Sequence, residues 1–297
     1  VKLMPFCAKQ ELKKTDTSNA AITGGHVELK EKAEWSDEAE LKAAAEVADA
    51  VIVFTGTELG YQENMESESR DREEFNLPKE LQEAMHVILG WQLKNCVVVS
   101  RSGTPGGYTW TDKAATLVQS SYLGMEEGNS IVDVLLGEVN PAGRLCHSWP
   151  KMYADTAVAQ CGTYNKTNVV YNERFYVGYR WHDKQGIEPL FPFGYGKSYT
   201  KFAWTNAEVK MVDRDGEWIV SVDVTNIGDV AGKDVVQLYV GYMNPAVERC
   251  EKDLRGFAKT RLLKPGESER VAIRLTARDL AYWDELESGF RADPGLY

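Results

Sequence analysis

Ala50-Val51-Ile52-Val53-Phe54, running into Thr55-Gly56, is the stretch on which the fold turns. It shows no alternation of apolar and polar residues, so both faces of the strand it forms are expected to be buried, as in a parallel sheet. The segments on either side agree. Upstream, Ser36 is placed to N-cap a helix running to Val47, with Asp37 and Glu38 near its positive end. Downstream, Pro78 stands where a helix can begin, and Leu81, Met85, Ile88 and Trp91 fall along one helical stripe. Cys96-Val97-Val98-Val99 reads as the next buried strand and Thr116 to Tyr122 as another. Glu126 to Leu136 reads as a helix that stops at Gly137, with Pro141 beyond. Strands alternating with helices predict a parallel sheet covered on both faces.

From about Lys201 the pattern changes. Val220, Val222 and Val224 alternate with Ser221, Asp223 and Thr225, as in a half-buried strand. Val235 to Val240 gives another, and Val271, Ile273 and Leu275 a third. Turn clusters at Asn226-Ile227-Gly228-Asp229 and Lys264-Pro265-Gly266-Glu267 separate them. Short strands with turn punctuation and no helix predict a β-sandwich. Between the two patterns, Pro189 to Gly196 is too aromatic for a flexible linker. The predicted fold is thus an α/β layered sandwich with a mostly parallel sheet, residues 1–188. An ordered aromatic linker, 189–200, leads to an all-β sandwich of fibronectin-III or immunoglobulin type, 201–297. Pro294-Gly295-Leu296-Tyr297 reads as a turn entering a strand, so the sandwich is expected to be truncated there.

Composition narrows the function. With 43% hydrophobic and 27% charged residues the chain can bury a core. A net charge of -11 argues against nucleic acid, whose phosphates are met by Lys and Arg, and fits a neutral substrate. No apolar run has the length needed to span a bilayer. The five cysteines, Cys7, Cys96, Cys146, Cys161 and Cys250, show no paired spacing, which speaks against both a metal site and a disulfide framework and leans toward a reducing, cytoplasmic compartment. His26, His86, His147 and His182 are scattered without metal-ligand spacing and read as structural. Gly103-Thr104-Pro105-Gly106-Gly107 follows a strand but lacks both the GxGxxG spacing and a P-loop Lys. It reads as a tight turn near a ligand site, not a nucleotide cradle. No cofactor is expected.

Four stretches in order carry a resemblance. The first is Glu66-Ser67-Glu68-Ser69-Arg70-Asp71-Arg72 with Leu77-Pro78. The second runs from Gly124-Met125-Glu126-Glu127-Gly128 through Asp133 to Gly137 and Asn140-Pro141-Ala142-Gly143-Arg144-Leu145 to Trp149-Pro150-Lys151. The third is Tyr176-Val177-Gly178-Tyr179-Arg180-Trp181 with Pro189 to Thr200, and the fourth is Asn226-Ile227-Gly228 with Leu263 to Ser268. Together they resemble glycoside hydrolase family 3, the β-glucosidases and β-xylosidases, in its layered α/β domain and the fibronectin-III-like domain that follows. The resemblance covers nearly everything from Ala50 onward; Val1 to Trp35 match less clearly.

The resemblance implies chemistry shared between domains. Retaining glycosidases use two carboxyl groups about 5–5.5 Å apart, one attacking the anomeric carbon and the other protonating the leaving oxygen. In this family an Asp nucleophile lies on a (β/α) barrel, and a Glu reaches over from the α/β domain. The match puts that acid/base on Glu68, with Glu66 as the alternative, on the loop after the Ala50–Phe54 strand. That is the strand end where open α/β sheets bind ligands. To act as an acid Glu68 needs a raised pKa, which burial against sugar or a partner domain supplies. Gly often follows the acid/base Glu in the family; here Ser69 does. The implied partners are a β-glucoside or cello-oligosaccharide and a barrel domain in the same or another chain, with no nucleic acid and no membrane. The chain alone is expected to be inactive. The competing reading is a non-catalytic carbohydrate-binding or assembly module. Asp71-Arg72 reads as an ion pair shaping the loop, and Trp110 and Trp181 as packing residues before sugar platforms.

Overall fold

The computed structural model describes residues 38–57, 72, 74–164, 167–212 and 216–297. Helix α1 (Glu38–Glu46) leads into β1 (Val51–Gly56), then α2 (Lys79–Gly90), β2 (Cys96–Arg101) and β3 (Leu117–Ser120). The strands form a parallel sheet in the order β1-β2-β3, with Val53 beside Val98 and Phe54 beside Val99. Pro78 starts α2 as the sequence predicts, and Met85, Ile88 and Leu89 bury its inner face, with Leu81 and Trp91 half-buried at its margins. Met85 and Leu89 pack on Cys96 and Val98, and the same core takes in Leu77, Tyr108, Trp110 and Trp149. The predicted cap Ser36 lies outside the described residues.

The expectation that both sheet faces are covered holds for β2 and fails for β1. Val98 and Val99 point to opposite faces and are both 0% exposed, as a central strand requires. On β1, Val51 and Val53 join the core while Ile52 and Phe54 stay 46% and 62% exposed. Among the described residues β1 is the outermost strand of the sheet, and α2 lies on the face that Val53 shares with Val98, leaving Ile52 and Phe54 on the other. Helix α3 (Glu127–Leu136) ends at Gly137 in the left-handed conformation, φ 79°, where lack of a Cβ removes the penalty. Two short helices follow, α4 (Ala157–Cys161) and α5 (Tyr179–Gln185).

The second region is antiparallel. Strands β4 (Phe202–Met211), β5 (Glu217–Asn226) and β8 (Ser268–Thr276) pair in the order β4-β5-β8, and β6 (Val235–Val240) pairs with β7 (Asp253–Lys259). Val224, Val236, Leu263, Val271 and Ile273 form the core between the two sheets. After the short α6 (Ala277–Leu280), β9 (Tyr282–Asp284) and β10 (Gly289–Arg291) make a hairpin. The residues beyond it fold back: Met243 N donates to Leu296 O, and Tyr297 packs against Tyr242 with ring centroids 4.7 Å apart.

Residues 189–200 belong to both regions. Trp149 N donates to Phe191 O at 2.8 Å, Leu145 N to Tyr195 O at 2.9 Å, and Gln237 Nε2 of β6 to Gly194 O at 3.0 Å. Beside them, Arg144 Nη2 pairs with Asp234 Oδ1 at 2.5 Å, and Asn140 Nδ2 donates to Ala231 O at 3.0 Å.

Asn226, in sequence only the first residue of a turn cluster, is a buried hub with 0% exposure. Its Oδ1 accepts from Thr200 Oγ1 and Gly228 N, and its Nδ2 donates to Val230 O and Leu263 O. Asn226→Ala strands these buried groups, and the expected loss is about 2–3 kcal/mol. The midpoint of denaturant unfolding measures it; a loss below about 0.5 kcal/mol would mean that water replaces the amide without cost.

Candidate functional site: the carboxyl ends of the parallel strands

The carboxyl ends of β1, β2 and β3 form one rigid platform. Thr57 N, just past β1, donates to Arg101 O at 2.7 Å, and Ser102 N, just past β2, donates to Ser120 O at 3.1 Å. Gly56 has φ 131°, and a Cβ there would sit 1.8 Å from Arg101 O, so the crossing admits only glycine. Thr57 is buried, its Oγ1 3.1 Å from the Tyr122 hydroxyl. Arg101 pairs with Glu127 of α3 at 2.7 Å and lies over the Tyr122 ring, 4.8 Å from its centroid. Deeper in, the Tyr108 hydroxyl is 2.5 Å from Ser100 Oγ and 3.3 Å from Ser102 Oγ.

The loop that carries the sequence-predicted carboxylates leaves this platform at Thr57. Glu66 and Glu68 lie outside the described residues, as do Ser69 and Asp71. Its exit is described. Arg72 Nη2 donates to Pro105 O at 2.9 Å and Thr104 Oγ1 at 3.1 Å, and Gly107 N donates to Phe75 O at 3.0 Å. Leu77, 1% exposed, then enters the core. The sequence treats Arg72 and the Gly103–Gly107 turn as separate features; the fold brings them into contact.

Other candidates are placed elsewhere. Trp110 is 0% and Trp181 7% exposed, which makes both packing residues. Trp110 stacks on Tyr108 with ring centroids 5.0 Å apart, and Trp181 Nε1 donates to Asp155 O. His86 meets Thr109 and His182 meets the Ile187 carbonyl, while His26 is outside the described residues. Burial pushes the Cys96 thiol above its ordinary pKa and His147 below its own, and neither lies at the carboxyl ends of the strands. Among the described residues, no cluster of three His, Cys, Asp or Glu side chains is arranged to hold a metal ion, and no helix is long and apolar enough to cross a membrane. Cys96, Cys146, Cys161 and Cys250 are free thiols.

Two of the stretches that carried the resemblance prove to be joints. Asn140 to Leu145 ties the α/β region to Ala231, Asp234 and Tyr195. Tyr176 to Trp181 ties it to the loop before β7 and to β7 itself: the Tyr176 hydroxyl donates to Arg249 O at 3.3 Å, Arg180 pairs with Asp253 at 2.7 Å, and the Tyr179 hydroxyl accepts from Leu254 N at 2.9 Å.

A parallel α/β sheet is thus joined to an antiparallel sandwich, in the order expected from the sequence. Residues 9–199 match the glycosyl hydrolase family 3 C-terminal domain, and residues 234–297 match a fibronectin type III-like domain. The chain belongs to glycosyl hydrolase family 3. It is similar to a β-glucosidase from Rhizobium radiobacter, 40% identical over 87% of this chain and 32% of that protein. It is similar also to thermostable β-glucosidase B from Acetivibrio thermocellus, 37% identical over 87% of this chain and 34% of that protein. Among solved structures, a β-glucosidase from Kluyveromyces marxianus in complex with glucose superposes with a TM-score of 0.79 at 36% identity, over 87% of this chain and 30% of that one. The chain thus spans about a third of the length of the curated relatives it matches.

Proposed function

We propose that this chain is part of a retaining β-glucosidase, to which it contributes the general acid/base Glu68. The Asp nucleophile would lie on a barrel domain, in the same polypeptide or another. The observation that carries this reading is the family membership, joined to the place of the Glu68 loop: it leaves the carboxyl end of β1, the end at which open α/β sheets bind ligands. The curated relatives are named β-glucosidases, and the Kluyveromyces marxianus structure holds glucose, which supports a terminal β-linked glucoside as substrate.

Retention needs two steps on opposite protonation states of one group. Glu68 gives its proton to the leaving oxygen, then as a carboxylate takes one from the water that cleaves the glycosyl-enzyme. The chain brings one of the two carboxyl groups. The complete enzyme is expected to release glucose from aryl β-glucosides with the β-anomer formed first, as read by proton NMR. The 297-residue chain by itself is expected to give no turnover. First formation of the α-anomer, or robust turnover by the chain alone, would overturn the proposal.

A further inference from the structure

The Gly103–Gly107 turn does more than reverse the chain. Besides the Arg72 and Phe75 contacts, Asn76 and Gly107 form a parallel bridge, and Gln82 Nε2 of α2 donates to Gly107 O at 2.6 Å. The fit is close, and a side chain at either glycine would have to displace its neighbour. A Cβ at Gly107 would lie 1.8 Å from Asn76 Oδ1, and one at Gly106 would lie 3.3 Å from Arg72 Nη1. Below the turn sit Leu77 and Tyr108, 1% and 3% exposed, so it is rooted in the core. Arg72 reaches a backbone carbonyl and a hydroxyl from one nitrogen, Nη2, whose two N–H directions are fixed by the planar guanidinium, whereas a lysine ammonium rotates freely on a flexible stem.

We propose that Arg72 is a positioning residue for Glu68: its bonds to Thr104 and Pro105 hold the exit of the loop and so set the reach of a carboxyl four residues upstream. The proposal rests on Glu68 being the acid/base. A general acid works within about 2.6–3.2 Å of the atom it protonates. A displacement of about 1 Å costs on the order of a hundredfold in rate. A clamp that fixes one end of the loop is therefore part of the catalytic geometry even though it touches no substrate.

The test compares kcat/KM in the complete enzyme for phenyl and 2,4-dinitrophenyl β-glucosides. This parameter reports the steps through C–O cleavage, where the acid matters only if the leaving group is poor. Arg72→Ala is expected to lower it about a hundredfold for the phenyl glucoside and less than about threefold for the dinitrophenyl glucoside. Arg72→Lys should fall between wild type and Arg72→Ala. Thr104→Val, which removes one exposed acceptor and spares the core, should lose in the same direction by a smaller factor, and it serves where Arg72→Ala does not fold. Equal losses on both substrates, or a wild-type ratio in both the Arg72 and Thr104 variants, overturn the proposal. Glu68→Gln is measured alongside. If it shows the selective loss and the clamp variants do not, only the clamp fails. If it too is without effect, the acid/base reading fails and the positioning role with it.

Discussion

Glu68→Gln in the complete enzyme is expected to lower kcat/KM for phenyl β-glucoside by about 10²–10⁴-fold, the range supplied by a positioned general acid. The amide keeps the size of the side chain and has no proton of carboxylic acidity to give. The same change removes the base of the second step, so on a substrate with a good leaving group the glycosyl-enzyme accumulates and kcat falls while kcat/KM holds. Azide needs no deprotonation to attack. Adding it should restore turnover and yield β-glucosyl azide. The alkaline limb of the kcat/KM profile, set by loss of the acid's proton, should disappear, because protonated Glu68 is the active form and rising pH removes it. Glu66→Gln should leave all these properties near wild type. If Glu66→Gln shows the azide rescue and Glu68→Gln does not, the acid/base is Glu66. If neither variant is impaired, the chain is a non-catalytic module.

The largest expected effect on stability is at Trp149. It is 1% exposed and meets Tyr108 edge-on with centroids 4.9 Å apart, Phe191 edge-on at 6.4 Å, and His147 in a stack at 6.3 Å. Its backbone is committed as well, donating to Phe191 and accepting from Leu190. Trp149→Ala leaves a void walled by aromatic rings and secured backbone, which limits collapse, so a loss of about 3–5 kcal/mol is expected. For a chain of this size that lowers Tm by roughly 10 °C. Trp149→Phe keeps part of the edge contacts and should lose less. Met152→Ala nearby, 56% exposed, should shift Tm by no more than about 1 °C. A Trp149→Ala melt within about 2 °C of wild type would show that the rings close over the gap.

What the sequence revealed and what it hid follow from how local each signal is. Strand β8 was legible because Val271, Ile273 and Leu275 are buried while Arg270, Ala272 and Arg274 are exposed. The end of α3 was legible because Gly137 announces a left-handed stop. Strand β4 was not: from Trp204 to Met211 every residue is exposed, so it carries no alternation, and pairing with β5 alone makes it a strand. Strand β7 was hidden by charge and by Gly256, where a Cβ would lie 2.4 Å from Ile273 Cγ2. The run Val51 to Phe54 predicted two buried faces because an unbroken apolar run does not say what covers each face, and Ile52 and Phe54 remain exposed. In the site, the loop's address after β1 could be read from the strand that precedes it. The Arg72 contacts could not, since Thr104 and Pro105 stand 32 and 33 residues away and no local pattern marks the pairing.

The joint at residues 189–200 bears on how such proteins can be recombined. Leu145 and Trp149 hold Tyr195 and Phe191 from one side, Gln237 holds Gly194 from the other, and a Cβ on Gly194 would lie 2.0 Å from Gln237 Oε1. A cut at residue 200 looks natural on a domain map, yet it severs a three-way interlock whose parts are fitted to one another. A sandwich grafted from a relative at that point would arrive with its own counterpart of Gln237 facing a foreign Gly194, and its own counterpart of Asp234 facing a foreign Arg144. The smallest unit that can be exchanged intact is therefore the sandwich together with Asn140–Leu145, Trp149 and the aromatic segment. The seam between these two domains is a single fitted piece.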